Sequence, residues 1–145
     1  MRSGMRRGVL TVAALLAAAA CASNPMPGDR EYPYNLAGVY DASFEVMGVV
    51  YAGPAELQTS PGGMVYGTMT LTGEETVTGR LEGTVSGDTL IFEWPYDRSG
   101  GCTGMTSGAG VIDGGGGAVS GTALVEDDCL GEMFEGPFVM NRRTE

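Results

Sequence analysis

The sequence predicts an all-β protein, a small antiparallel up-and-down barrel of about eight short strands. Three observations predict it: apolar residues alternate with period two, glycine-rich turns fall at short intervals, and glycines recur at positions whose parity faces inward. A β-sandwich of two sheets is the competing arrangement.

The first strand carries Gly38, Tyr40, Ala42, Phe44 and Val46 on one parity, and the second carries Ala55, Leu57 and Thr59 before the turn Pro61-Gly62-Gly63. In the third, Val65, Gly67, Met69 and Leu71 alternate with Tyr66, Thr68, Thr70 and Thr72. The fourth, Thr76 to Ser86, is the clearest: Val77, Gly79, Leu81, Gly83 and Val85 face one way, and Thr78, Arg80, Glu82 and Thr84 the other. A hairpin loop at Gly73-Glu74-Glu75 pairs Leu71 with Val77 and keeps both apolar sets on one face. Gly87-Asp88 then turns the chain into Leu90, Phe92 and Trp94, with Val85 opposite Leu90.

Residues Met105 to Ile112 and Ala118 to Val125 flank a run of four glycines, Gly114 to Gly117. Centring that hairpin on Gly115-Gly116 pairs residue i with residue 231 − i, which sets Cys102 opposite Cys129 at the base of the hairpin. Directly opposite residues stand close enough for a disulfide. The last strand carries Phe134, Gly136, Phe138 and Met140, and Pro137 within it implies local unpairing or an edge. The inward glycines Gly67, Gly79, Gly83 and Gly136 let a sheet coil tightly enough to close. The pattern resembles the up-and-down barrels of the calycin type in strand arrangement alone, with no Gly-x-Trp signature.

Ahead of the barrel stand Arg2, Arg6 and Arg7, then an apolar stretch of twelve residues from Val9 to Ala20. That length suits a signal peptide and is too short to span a bilayer. The run Ala18-Ala19-Ala20-Cys21 resembles the lipobox of bacterial lipoprotein precursors, with Ala18 where that family usually has Leu. The resemblance covers residues 1–21 and implies that Cys21 is lipidated and becomes the first residue. It also implies an outer-membrane destination, since Ala22 is not Asp. An ordinary signal-peptidase cut after Ala20 or Ala22, giving a secreted or periplasmic protein, is the alternative. The expected organisation is therefore a signal peptide over 1–20, a lipidated cysteine with a flexible tether over 21–34, and one barrel domain over 35–143. Pro25, Pro27 and Pro33 mark the tether. Two cysteines remain beyond the signal, an even number suited to disulfide formation in an exported chain.

Composition excludes several functions. The 145 residues contain no His, and all 8 bases are Arg, so the usual general base, the commonest metal ligand and lysine chemistry are missing. The net charge of −10 becomes −13 once the signal's three Arg are removed, with 5 bases against 18 acids. Such a surface repels nucleic acid and anionic membranes, so any membrane attachment is expected through the lipid. No cofactor is called for.

Strict alternation of strand direction assigns each connection to one end of the barrel. Ser60–Gly62, Gly87-Asp88 and Gly114–Gly117 share the tether's end; Met47–Gly53, Gly73–Glu75, Pro95–Gly101 and Glu126–Gly131 share the other, where the disulfide pins two connections. The loop-rich end is expected to face away from the membrane. Tyr51, Trp94, Tyr96, Asp97 and Arg98 are its candidate ligand or partner residues. Trp94 shares the parity of Leu90 and Phe92, which favours a core role. Glu126, Asp127 and Asp128 are a candidate Ca²⁺ set, read against a solvated acidic loop. The short strands favour a mostly filled interior.

The sequence thus points to a non-enzymatic, lipid-anchored envelope protein that contacts an envelope partner or ligand through its membrane-distal loops. A carrier of a small apolar or sugar-like ligand is the alternative, and a hydrolase using paired carboxylates the third. An open interior would favour the carrier; two carboxylates converging in a cleft would favour the hydrolase.

Overall fold

Eight antiparallel strands follow one another around a closed barrel, and β8 returns to pair with β1. They are β1 (Gly38–Val46), β2 (Val49–Thr59), β3 (Met64–Thr72), β4 (Thr76–Ser86), β5 (Thr89–Arg98), β6 (Thr103–Ile112), β7 (Ala118–Asp127) and β8 (Met133–Arg142). The computed structural model describes residues 24–144; the signal segment and Cys21 lie outside the described residues. Closure settles the choice between barrel and sandwich, because no strand edge is left in need of a partner.

The registers read from the sequence are those observed. Leu71 faces Val77, Val85 faces Leu90, and β6 meets β7 from Gly104↔Asp127 to Ile112↔Val119. Cys102 and Cys129 are bonded, with Cα atoms 5.8 Å apart. Pro137 lies just beyond the last β1–β8 pair, Phe44↔Phe138, and opposite Thr122 of β7, so the expected unpairing is confined to the β1 side and the closed barrel leaves no edge there.

The inward glycines sit where neighbouring backbone comes close. A Cβ on Gly67 would lie 1.8 Å from the Glu56 carbonyl oxygen, and one on Gly136 at the same distance from that of Glu45. Gly79 has the same relation to Pro95, at 2.0 Å. These are the bends that curl the sheet into a tight cylinder.

Three connections are shorter than expected, because the strands run further. Met47-Gly48 is a two-residue turn with φ of 53° and 76°, the left-handed pair that matches strand twist, so β2 begins at Val49 rather than after Gly53. β5 extends to Arg98 and β7 to Asp127, so the predicted loops Pro95–Gly101 and Glu126–Gly131 are partly strand. The β-branched Val49 and Val50 and the ladder pairs Pro95↔Met105 and Asp97↔Thr103 carry these extensions.

The interior is filled at the tether's end. Tyr40, Leu90, Val119 and Met140 are fully buried there, and Phe44, Phe92 and Phe138 pack ring to ring, Phe44 stacked on Phe138 at 5.3 Å and Phe92 edge-on to Phe138 at 5.2 Å. From Met26 on, the stretch read as a tether lies across this end instead of standing off it. Gly62 N–H donates to the Pro27 carbonyl, Gly115 N–H to that of Pro33, and the Tyr32 hydroxyl to that of Gly87, while Leu36 is completely buried. Tyr32 and Tyr34 provide the apolar surface that a free tether would lack. Arg142 fastens the plug: its Nη2 donates to the Asn35 carbonyl at 2.8 Å and to the Tyr40 hydroxyl at 2.9 Å, and its guanidinium stands over the Tyr40 ring.

Candidate ligand cavity

At the opposite end the barrel is hollow. A cavity of about 390 Å³ opens between the β1–β2, β3–β4, β5–β6 and β7–β8 connections, within the range of small-molecule sites. The expectation of a mostly filled interior therefore holds only for the half below Phe44. The strands are long enough, at 9 to 11 residues, to hold a packed layer and an open one in series.

Phe44 and Trp94 lie deepest among the aromatic walls, with ring centroids 6.0 Å apart, and Trp94 is followed outward on β5 by Tyr96 at 5.5 Å. Leu71, Val77, Val125 and Phe134 extend the apolar wall, each on the inward parity of its strand, and Val46, Met47, Val49 and Leu130 add to it. Of the candidate residues, Tyr51, Trp94, Tyr96 and Arg98 are brought together here. Asp97 is not: it has the outward parity of β5 and is exposed. None of the five stands in a loop, since Tyr51 belongs to β2 and the others to β5. The core reading of Trp94 and the mouth reading prove compatible, for it is 3% exposed and still lines the cavity. Among the described residues its indole N–H has no partner, and it lies within the barrel, 3.1 Å from where a Cβ on Gly79 would stand.

Polar groups concentrate on one side of the mouth. Asp127, 3% exposed, accepts from the Tyr96 hydroxyl at 2.7 Å, from Arg98 Nη2 at 3.2 Å and from the Cys129 backbone N–H at 3.0 Å. Arg98 Nε also lies 3.1 Å from Asp127, close enough for an ion pair but without the alignment of a hydrogen bond. On its other side Arg98 reaches Glu75 at 3.5 Å. The disulfide holds Cys129 and therefore the donor that steadies Asp127.

Burial, assisted by the hydrogen bond to Asp127, pushes the Tyr96 hydroxyl far above its ordinary pKa of 10.0. Tyr51 is raised too, first by burial and then by the nearby negative charge of Glu74. Both phenols remain protonated donors at any physiological pH.

The candidate Ca²⁺ set is not brought together. Glu126 points outward, Asp127 points inward and is already occupied, and Asp128 accepts from the Thr103 hydroxyl. Among the described residues, the grouping of potential ligands is Asp127 with Cys102 and Cys129, whose sulfurs are bonded to each other.

Asp127 is legible in the sequence as an inward residue. It continues the alternation Val119, Ala123, Val125, and an acid on that parity calls for an internal partner. Arg98 continues Trp94 and Tyr96 on β5 in the same way. The likeness of Glu126-Asp127-Asp128 to an acidic loop masks that alternation.

The fold and cavity define a class: a closed, eight-stranded up-and-down barrel, packed at one end and hollow at the other. No family model and no curated protein matches the chain. Among solved structures it is similar to EF1p2_mFAP2b bound to DFHBI, with a TM-score of 0.64 and 16% identity over 74% of this chain and 94% of that one. A redesigned β-barrel, mFAP1, also bound to DFHBI, is similar at a TM-score of 0.57 and 17% identity over the same shares. A de novo designed fluorescence-activating β-barrel follows at 0.50 and 14%, over 74% and 93%. At these identities the likeness is one of fold.

Proposed function

We propose that this protein is a non-enzymatic carrier that binds a small, mainly apolar ligand in the open half of its barrel, and that a lipid on Cys21 holds it in the bacterial cell envelope. The cavity carries the first part of this reading: about 390 Å³, walled by aromatic and branched aliphatic side chains, with few polar groups at its mouth. Two barrels of similar fold are bound to DFHBI, which supports ligand binding by a barrel of this fold. The carrier reading thus moves ahead of one in which the outer loops alone contact a partner, because those loops are short and the open volume lies inside.

Two carboxylates, Glu75 and Asp127, do converge at the mouth, the feature that would suit a hydrolase. Both converge on Arg98, and Asp127 is further occupied by Tyr96 and Cys129. The oxygens of Asp127 are thus already engaged, and Glu75 is not among the residues that line the cavity, so the two do not face a substrate placed there as a pair.

Titration with the neutral fluorophore N-phenyl-1-naphthylamine tests the carrier. The chain has 1 Trp, and it lines the cavity, so binding is expected to quench Trp94 emission as the probe's own emission rises. Val49→Phe, at the half-buried rim, should block the response while leaving the circular dichroism unchanged. Absence of any response with the unaltered barrel at 100 µM probe, on the order of the weakest useful carrier affinity, would refute the proposal.

A further inference from the structure

We infer that the cavity is built for a cationic amphiphile: an aromatic or aliphatic body in the barrel and a protonated amine or quaternary ammonium at the mouth, beside Glu74. The inference rests on the carrier reading and names the ligand's charge.

The argument begins with what each charged group at the mouth already touches. Arg98 is the cation lining the cavity, and it stands between Asp127 at 3.1 Å and Glu75 at 3.5 Å. A carboxylate or phosphate headgroup brought to it would meet both of these acids at close range. Glu74 is the charged lining residue left over, exposed, and no ion pair or hydrogen bond engages it among the described residues. The hydroxyl-bearing Tyr51 is near enough to feel its charge.

The surrounding field has the same sign. Glu75, Asp97, Glu126, Asp127 and Asp128 belong to this end of the barrel, against Arg98. The other described arginines lie elsewhere: Arg30, Arg142 and Arg143 at the plugged end, and Arg80 on the outer wall of β4. Carboxylates around a low-dielectric opening focus negative potential into it, concentrating cations and repelling anions.

The walls suit the same ligand. Phe44, Trp94, Tyr96, Tyr51 and Phe134 present aromatic rings along the cavity. Aromatic faces attract ammonium groups, Trp most strongly, and the attraction grows where water is excluded. An anion gains nothing from these faces.

Three water-soluble probes with one naphthalene body and different heads provide the test: 2-(2-naphthyl)ethyltrimethylammonium, 2-(2-naphthyl)ethanol and 2-naphthylacetate, measured by titration calorimetry. The expected order is cation, then alcohol, then carboxylate, with the cation about tenfold or more tighter than the carboxylate at low salt. That ratio should shrink in 0.5 M NaCl, a concentration at which screening is strong, with a Debye length of about 4 Å. In Glu74→Gln the preference for the cation should fall severalfold while the alcohol's affinity stays unchanged. Equal affinities for cation and carboxylate, a tighter carboxylate, or a cation preference that Glu74→Gln leaves intact would overturn the inference while the carrier reading stood. Failure of all three probes, the alcohol included, would remove the carrier reading itself.

Discussion

Asp127 is the residue on which the geometry of the mouth depends. A carboxylate that is 3% exposed is tolerated because an ion pair and two further donors replace its water shell. Asp127→Ala would leave the Arg98 charge and the Tyr96 hydroxyl without their partner. Removing one member of a buried ion pair typically costs about 3 kcal/mol or more, and urea unfolding should show a loss of that size. The side chain of Glu75 is 34% exposed, so Glu75→Ala should cost well under half as much, since solvent screens that pair. The tyrosines supply a second residue-scale prediction. Tyr96, Tyr51 and Tyr40 are all held above the ordinary value, each chiefly by burial. In such groups the folded state favours the protonated form, so their contribution is complete below pH 10, where the unfolded phenol is also protonated, and is lost as pH rises through the folded value. Absorbance titration of the native protein at pH 11 should therefore show fewer ionised phenols than the 6 present, with the remainder appearing when 6 M guanidinium, a concentration that unfolds most domains, is added.

Strands, rather than loops, carry the site. Period-two alternation makes every strand visible in the sequence, and the four-glycine run of the sixth hairpin locates the disulfide, because a turn centre and a pairing rule together fix which residues stand opposite. Less visible is where strands end. Alternation persists through Tyr96, Arg98 and Asp127, yet polar and charged residues near a glycine look like loop, so these positions read as connections. The hollow is hidden for a different reason: parity shows that Phe44 or Val125 faces inward, but not whether opposing side chains meet across the barrel. The coiling glycines permit a test at this scale. Gly136→Ala would put a methyl 1.8 Å from the Glu45 carbonyl, so β8 must move away from β1 at the seam that closes the barrel. Overpacking of this kind costs roughly 1–3 kcal/mol, and melting temperature should fall accordingly. At Gly114 a Cβ meets nothing within 4 Å, so Gly114→Ala should leave stability nearly unchanged.

The whole molecule is polarised along its barrel axis. One end is closed by Met26–Leu36 and pinned by Arg142; the other is open, acidic and steadied by the disulfide. That polarity gives the proposed lipid anchor a structural consequence. Because the chain is fastened to the barrel from Pro27 on, where Gly62 N–H donates to the Pro27 carbonyl, five residues separate Cys21 from the plugged end. Fully extended, the six steps from Cys21 to Pro27 reach no more than about 22 Å. A lipid on Cys21 would hold the closed end close to the bilayer and turn the mouth outward, toward an incoming ligand. The acidic surface would add no attraction of its own to an anionic leaflet. Attachment should therefore depend wholly on the cysteine: Cys21→Ser is expected to move the protein from the membrane fraction to the soluble one at ordinary salt. The intact barrel is the necessary control, so the released protein should keep the Cys102–Cys129 disulfide and the same circular dichroism. Membrane association that survives Cys21→Ser and washing in high salt would mean that some other part of the chain holds it there. The geometry also bears on any such result, because binding through the mouth would put the ligand cavity against the membrane, and binding through the plug would leave it open.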